Sequence, residues 1–189
     1  MLPNGNQTVA PPRPGGPQSV LVIGLGNPIL CDDGIGWRVA EEVKRRIVAN
    51  GWPIKNGDPP STFHPRPPAI EVDCFALGGL SLMERLIGYD RAIVLDAMTL
   101  GVAPGSVACF DLNSLPDHSA AHLTAAHDTS LQNAMRLGRL MGARLPDRVT
   151  VVGIEAERVF EFGEELTPAV AAAVLHATRL VLELLNEEA

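Results

Sequence analysis

Apolar residues along this chain change period several times, and each change marks an element. Ser19-Val20-Leu21-Val22-Ile23 is a short, β-branched run that stops at Gly24, the pattern of a strand buried on both faces and so of a parallel sheet. Beyond Gly34 the period lengthens: Ile35, Val39, Val43 and Ile47 recur every four residues, with Glu41, Glu42, Lys44, Arg45 and Arg46 between them. That spacing predicts an amphipathic helix. From Ala69 the alternation resumes, with Ile70 to Phe75 as a strand, Leu80 to Ile87 as a short helix, and Ala92 to Leu95 as a buried strand that Asp96 closes. Pro104-Gly105 opens a further strand, Ser106 to Asp111. A helix follows from about Thr129, with Leu131, Met135, Gly138 and Met141 on one face and Gly142 as its C-terminal cap. Val149 to Ile154 reads as the last strand. Thr167-Pro168 supplies a cap and a first-turn proline for a closing helix through Val170, Val174, Val181 and Leu185. Strands alternating with helices predict the α/β class, as a three-layer α/β/α sandwich around a twisted, mostly parallel sheet.

Three stretches lack any period. Residues 1–18 carry five prolines and read as a flexible arm outside the fold. Residues 19–189 form a single domain, interrupted by an insertion loop at about 50–68 that holds six prolines, with His64 facing solvent. The connection from Leu112 to Ala126 is long and alanine-rich, the kind of loop that often carries function.

Composition narrows the function classes. A chain of 189 residues suits one domain with a sizeable core. Its net charge of -7, from 22 acidic against 15 basic residues, gives no electrostatic footprint for nucleic acid. Cys31, Cys74 and Cys109 form no CxxC pair and are odd in number, which suits a reducing cytoplasm and suggests neither a zinc knuckle nor a disulfide framework. With no signal-peptide pattern and no apolar run of about 18 to 20 residues, the expectation is a soluble, cytoplasmic monomer with no membrane partner.

Chemistry concentrates in Gly24-Leu25-Gly26-Asn27-Pro28-Ile29-Leu30-Cys31-Asp32-Asp33, which joins a buried strand to a glycine turn and then delivers two carboxylates. In open α/β sheets, ligands bind beyond the carboxyl ends of the strands. Asp33 follows the first strand through a turn and Asp96 follows the third directly, so parallel strands bring both to one edge. His127, just ahead of its helix, is a third candidate. One imidazole and two carboxylates suit nickel or zinc and leave positions open for substrate or water. The plainer alternative makes Asp32 and Asp33 helix caps, Asp96 a strand-end turn residue and His127 a surface or capping histidine.

Other motifs fail on a named position. The third glycine of a dinucleotide fingerprint would fall at Ile29, whose side chain blocks approach to a pyrophosphate. His118 and His122 have the spacing of a zinc-protease helix, but Ser119 stands where the glutamate belongs. There is no G-x-S-x-G elbow, and neither Cys31 nor Cys74 has a neighbouring histidine in sequence.

The run Gly24-Leu25-Gly26-Asn27 through Asp32-Asp33-Gly34-Ile35-Gly36 resembles the opening motif of the endopeptidases that mature nickel-iron hydrogenases. Ile93-Val94-Leu95-Asp96-Ala97 looks like that family's second motif, and His127 ahead of Ser130-Leu131 looks like its third. Val151-Val152-Gly153-Ile154-Glu155 and Leu166-Thr167-Pro168 are similar to its late segments, so the resemblance spans about Ser19 to Leu185. It implies a phosphorylase/hydrolase-like twisted sheet between helices, with Asp33, Asp96 and His127 as the metal-binding and catalytic residues and Asp32 left as a helix cap. It also implies an activity: removal of a C-terminal extension from the hydrogenase large-subunit precursor after nickel insertion. The nickel would be carried by the substrate, and zinc or cadmium could replace it in crystals. The family's D-G-G-T-like run is absent, because Asp73 is followed by Cys74-Phe75-Ala76-Leu77, so no substrate contact is carried over to Asp73. A non-catalytic nickel-checking module would use the same ligands. Gly24-Leu25-Gly26-Asn27-Pro28 also looks like the start of peptidyl-tRNA hydrolase, but the tyrosine and early histidine of that family are missing and the acidic charge opposes tRNA.

Overall fold

The computed structural model describes residues 19–52, 69–115 and 130–186. Within them the chain runs β1 (Ser19–Leu25), a 3-10 turn (Cys31–Gly34), α1 (Ile35–Ala49), β2 (Ala69–Phe75), α2 (Gly79–Arg85) and β3 (Arg91–Met98). It continues through β4 (Val107–Asp111), a second 3-10 turn (Leu112–Ser114), α3 (Leu131–Leu140), β5 (Arg148–Glu155) and α4 (Pro168–Asn186). The arm at 1–18, most of the 50–68 insertion with His64, and residues 116–129 with His118, His122 and His127 lie outside the described residues.

The strand order is β2-β1-β3-β5-β4. β1 pairs in parallel with β2 (Val22 opposite Val72) and with β3 (Val22 opposite Ile93), and β3 pairs in parallel with β5 (Asp96 opposite Gly153). β4 runs antiparallel to β5, with Cys109 opposite Val152, so the expected mostly parallel sheet has one reversed edge.

Alternation along β1 divides the core in two. Val20 and Val22 join Val39, Val43 and Ile47 of α1 and Val170, Ala177 and Val181 of α4 on one face. Leu21 and Ile23 join Leu82 and Met83 of α2 and Ala134 and Met135 of α3 on the other. This is the three-layer arrangement that the double burial of β1 predicts. Each fully buried Val, Leu or Ile side chain contributes about 1.5–3 kcal/mol through removal of apolar surface from water. The four residues that set the period of α1, Ile35, Val39, Val43 and Ile47, are all fully buried.

Some expectations are corrected. Asp96 does not close β3, which continues to Met98 because its backbone stays paired with β5 as far as Glu155. Met141 is solvent-exposed, beyond the end of α3, while Gly142 has the positive φ of 83° expected of a residue past a helix C-terminus. α4 also meets the length and composition of a bilayer-crossing helix, with 19 residues at mean hydropathy 1.5. Its Val170, Ala173, Ala177, Val181, Leu184 and Leu185 are nonetheless buried in the core.

Candidate functional site

The chain leaves β1 towards β2 on one side and returns as β3 on the other, so the topological switch of the sheet falls between β1 and β3. α1 starts over this seam. A Cβ added to Gly36 would come within 2.3 Å of the Leu25 carbonyl oxygen and 2.4 Å of that of Leu95, so only glycine lets the helix settle onto both strand ends. Gly36 thus supplies the close helix–strand approach that a dinucleotide fingerprint would take from its third glycine.

Between β1 and α1 the chain folds tightly enough to give its two acids different partners. Gly26 has φ 111°, and a Cβ there would lie 1.8 Å from the Asp33 carbonyl oxygen. The side chain of Asn27 accepts from the Ile29 N–H at 3.2 Å, and the Asn27 N–H donates to Asp33 Oδ2 at 2.6 Å. Asp33 is therefore held from behind, and its carboxylate stays partly exposed.

Asp96 reaches the same place from β3. It is largely buried, so the surrounding protein desolvates its carboxyl, and with the negative charge of Asp33 nearby this pushes its pKa up to about 7, against a smaller opposing hydrogen bond from the Ala97 backbone. Two carboxylates that resist simultaneous ionisation form a donor set that a cation would relieve. The structure thus brings together two of the three residues singled out in the sequence. His127 lies outside the described residues, and among those described no group of three His, Cys, Asp or Glu side chains could hold a metal ion.

The capping role expected of Asp32 is overturned. α1 has Gly34 at its N-cap with no side-chain hydrogen bond, so neither acid caps it. Asp32 is completely buried and accepts four hydrogen bonds from the segment between β5 and α4. These come from the Glu157 N–H at 3.1 Å, the Arg158 N–H at 3.0 Å, the Thr167 N–H at 2.7 Å and the Thr167 hydroxyl at 3.0 Å. The backbone reinforces the join. Cys31 N–H donates to the Gly163 carbonyl at 2.7 Å and Gly163 N–H to that of Ile29 at 3.0 Å, with a parallel bridge between Leu30 and Gly163. Cys31 has φ 45°, a left-handed conformation unusual for a residue with a side chain.

Glu155, the last residue of the 151–155 segment, has a structural task that the segment alone does not announce. It is buried at the end of β5, and its carboxylate accepts from the Leu100 and Gly101 N–H groups, each at 2.8 Å, which fixes the loop after β3. Only its place at the carboxyl end of the last strand signalled it. Asp73 turns to α2, where it accepts from Arg85 Nε at 2.8 Å. Arg85 also binds Glu71 and Tyr89.

The model of the family described as hydrogenase maturation protease, HycI, matches residues 76–184. The chain is 27% identical over 158 residues to the hydrogenase expression/formation protein HupD of Rhodobacter capsulatus, covering 84% of this chain and 67% of that protein. It is 26% identical over 169 residues to the hydrogenase 2 maturation protease of Escherichia coli (strain K12), covering 89% and 91%. Among solved structures, the hydrogenase maturating endopeptidase HybD from E. coli superposes with a TM-score of 0.62 at 24% identity over 90% of this chain and 93% of that one. The hydrogenase 2 maturation peptidase from Thaumarchaeota archaeon SCGC_AB-539-E09 does so with a TM-score of 0.53 at 26% identity over 89% and 98%. Matched by the family model over more than half its length, the chain belongs to the hydrogenase maturation protease family and is a hydrolase, an endopeptidase of hydrogenase maturation.

Proposed function

We propose that this protease removes the C-terminal extension of a nickel-iron hydrogenase large-subunit precursor once nickel has been inserted, and that Asp33, Asp96 and His127 recognise the nickel the substrate carries. The observation behind this reading is the approach of Asp33 and Asp96 at the β1–β3 seam, where the charge of Asp33 helps hold the pKa of Asp96 near 7. Asp33 offers carboxylate oxygen from a turn braced by the Asn27 N–H, and Asp96 offers a second from a strand that cannot shift without breaking its register with β5. Nickel so placed supplies Lewis acidity towards a carbonyl or a water. The protein's part is to hold the loaded precursor with its scissile peptide beside these groups.

Incubation with nickel-loaded precursor tests the reading by mass. The wild type shortens the large subunit, whereas Asp33→Ala, Asp96→Ala and His127→Ala each reduce processing by about 100-fold or more, as loss of a metal-contacting group does, with unchanged circular dichroism. Normal processing by any of these folded variants removes that residue from the active set. Tight binding by the wild type without any mass loss marks a checking module instead.

A further inference from the structure

The segment between β5 and α4 carries the most exposed aromatic residues among those described. Phe160 and Phe162 are 84% and 86% accessible, although burying either would remove far more apolar surface from water than any other change in that segment. They are not on a loose tip. Four hydrogen bonds to Asp32 and the Gly163 bridge fasten the segment to the turn that presents Asp33. A groove of about 520 Å³ opens between the two, lined by Cys31, Arg158, Phe162, Glu165 and Pro168.

The same edge is apolar elsewhere. Ile29, Leu77, Leu100 and Val102, in the loops after β1, β2 and β3, are all exposed, so every parallel strand ends in a loop that offers a large apolar side chain to solvent. Charge supplies the second half of the pattern. Glu157, Glu161, Glu164 and Glu165 are exposed around the two phenylalanines, and they outnumber the cations beside them: Arg158, at 3.6 Å from Glu161, and Arg38, which donates to the Glu164 carbonyl at 3.2 Å.

Resting on the function proposed above, we infer that this segment is the site's docking arm: Phe160 and Phe162, ringed by glutamates, seat a precursor segment in which apolar side chains alternate with lysine or arginine. Aromatic anchors desolvated at an interface carry most of its binding free energy, and complementary charge fixes register and speeds encounter. The acids turn away anionic lipid and nucleic acid. Because the arm is hydrogen-bonded to the turn that holds Asp33, seating the substrate there sets the distance of its scissile peptide from the carboxylates.

The experiment compares wild type, F160S/F162S and E161K/E164K/E165K on the nickel-loaded precursor, by processing kinetics and by calorimetric binding. The substituted side chains are solvated, so melting temperatures stay unchanged. KM and Kd should rise about tenfold or more in both variants, with kcat within about twofold of the wild type. Added salt should weaken binding of the wild type and not of the lysine variant. Unchanged KM and Kd in F160S/F162S overturns the docking arm while leaving the proposed cleavage intact. Binding without cleavage by the wild type sinks the cleavage, and Kd then decides the arm on its own. No binding by the wild type overturns both.

Discussion

Asp32 and Asp33 are chemically identical neighbours with opposite tasks, and the direction of their hydrogen-bond donors separates them. The donors to Asp32 lie 125 to 135 residues away in sequence, so a local reading could only make it a cap. Asp33 was legible because its donor among the described residues, Asn27, belongs to the same turn. Unfolding in urea should expose the contrast. Asp32→Ala strands the Glu157, Arg158 and Thr167 N–H groups and is expected to cost about 3 kcal/mol or more, since charged hydrogen bonds and buried unpaired donors are the costly kind. Asp33→Ala, with one such bond and partial exposure, should cost under about 1.5 kcal/mol while it abolishes processing. Equal destabilisation by the two variants would contradict the division of labour. Glu155 repeats the lesson, for its partners Leu100 and Gly101 follow a different strand.

At the scale of elements, the strongly periodic segments were legible and the ends were not. α1 follows its four-residue spacing because burial against the sheet is what that spacing encodes. β3 looked finished at Asp96 because a polar residue usually marks a strand's exit, whereas here the backbone ladder with β5 carries on past it. The direction of β4 was hidden for another reason. It is short and largely exposed, so its side chains record nothing about which way it pairs. The starts of β1 and β3 are tied through Asp90, which accepts from the Ser19 N–H at 2.8 Å and its hydroxyl at 2.9 Å and pairs with Arg144. Burial alone would raise the Asp90 carboxyl, but those hydrogen bonds and the Arg144 charge outweigh it and hold its pKa below the ordinary value of 3.8. A carboxylate depressed in this way stabilises the fold above that ordinary value, and the contribution fades as pH falls through the lowered one. Asp90→Asn should therefore lower stability at pH 7 by under about 1 kcal/mol, as the pair is partly solvated and screened. The gap to wild type should close on acidification below about pH 4. Melting curves from pH 7 to 2 check this, and a gap that widens in acid would refute it.

For the whole molecule, the sheet separates two apolar compartments that share no side chains, so damage to each should add. Ile47→Val, under α1, is expected to cost about 1 kcal/mol, and Met135→Ala, under α3, about 3 kcal/mol. The double variant should match their sum within about 0.5 kcal/mol by denaturant titration, and a larger discrepancy would mean that the layers communicate through the strands. The layered architecture was legible because alternation within β1 demanded cover on both sides. The approach of Asp33 and Asp96 was legible because each lies towards the carboxyl end of a parallel strand, one beyond a short turn and one within the strand itself, and His127 remains a proposal of the sequence. The cluster of Glu71, Asp73, Arg85 and Tyr89 has one more consequence. β2 is an edge of the sheet whose other side is taken by β1, and a second copy pairing its own β2 antiparallel there about Val72 would set the Glu71 and Asp73 carboxylates of the two copies about 5 Å apart. Like charges at that spacing repel, so the acids of the network that pins α2 also act as a brake on edge-to-edge pairing of two copies.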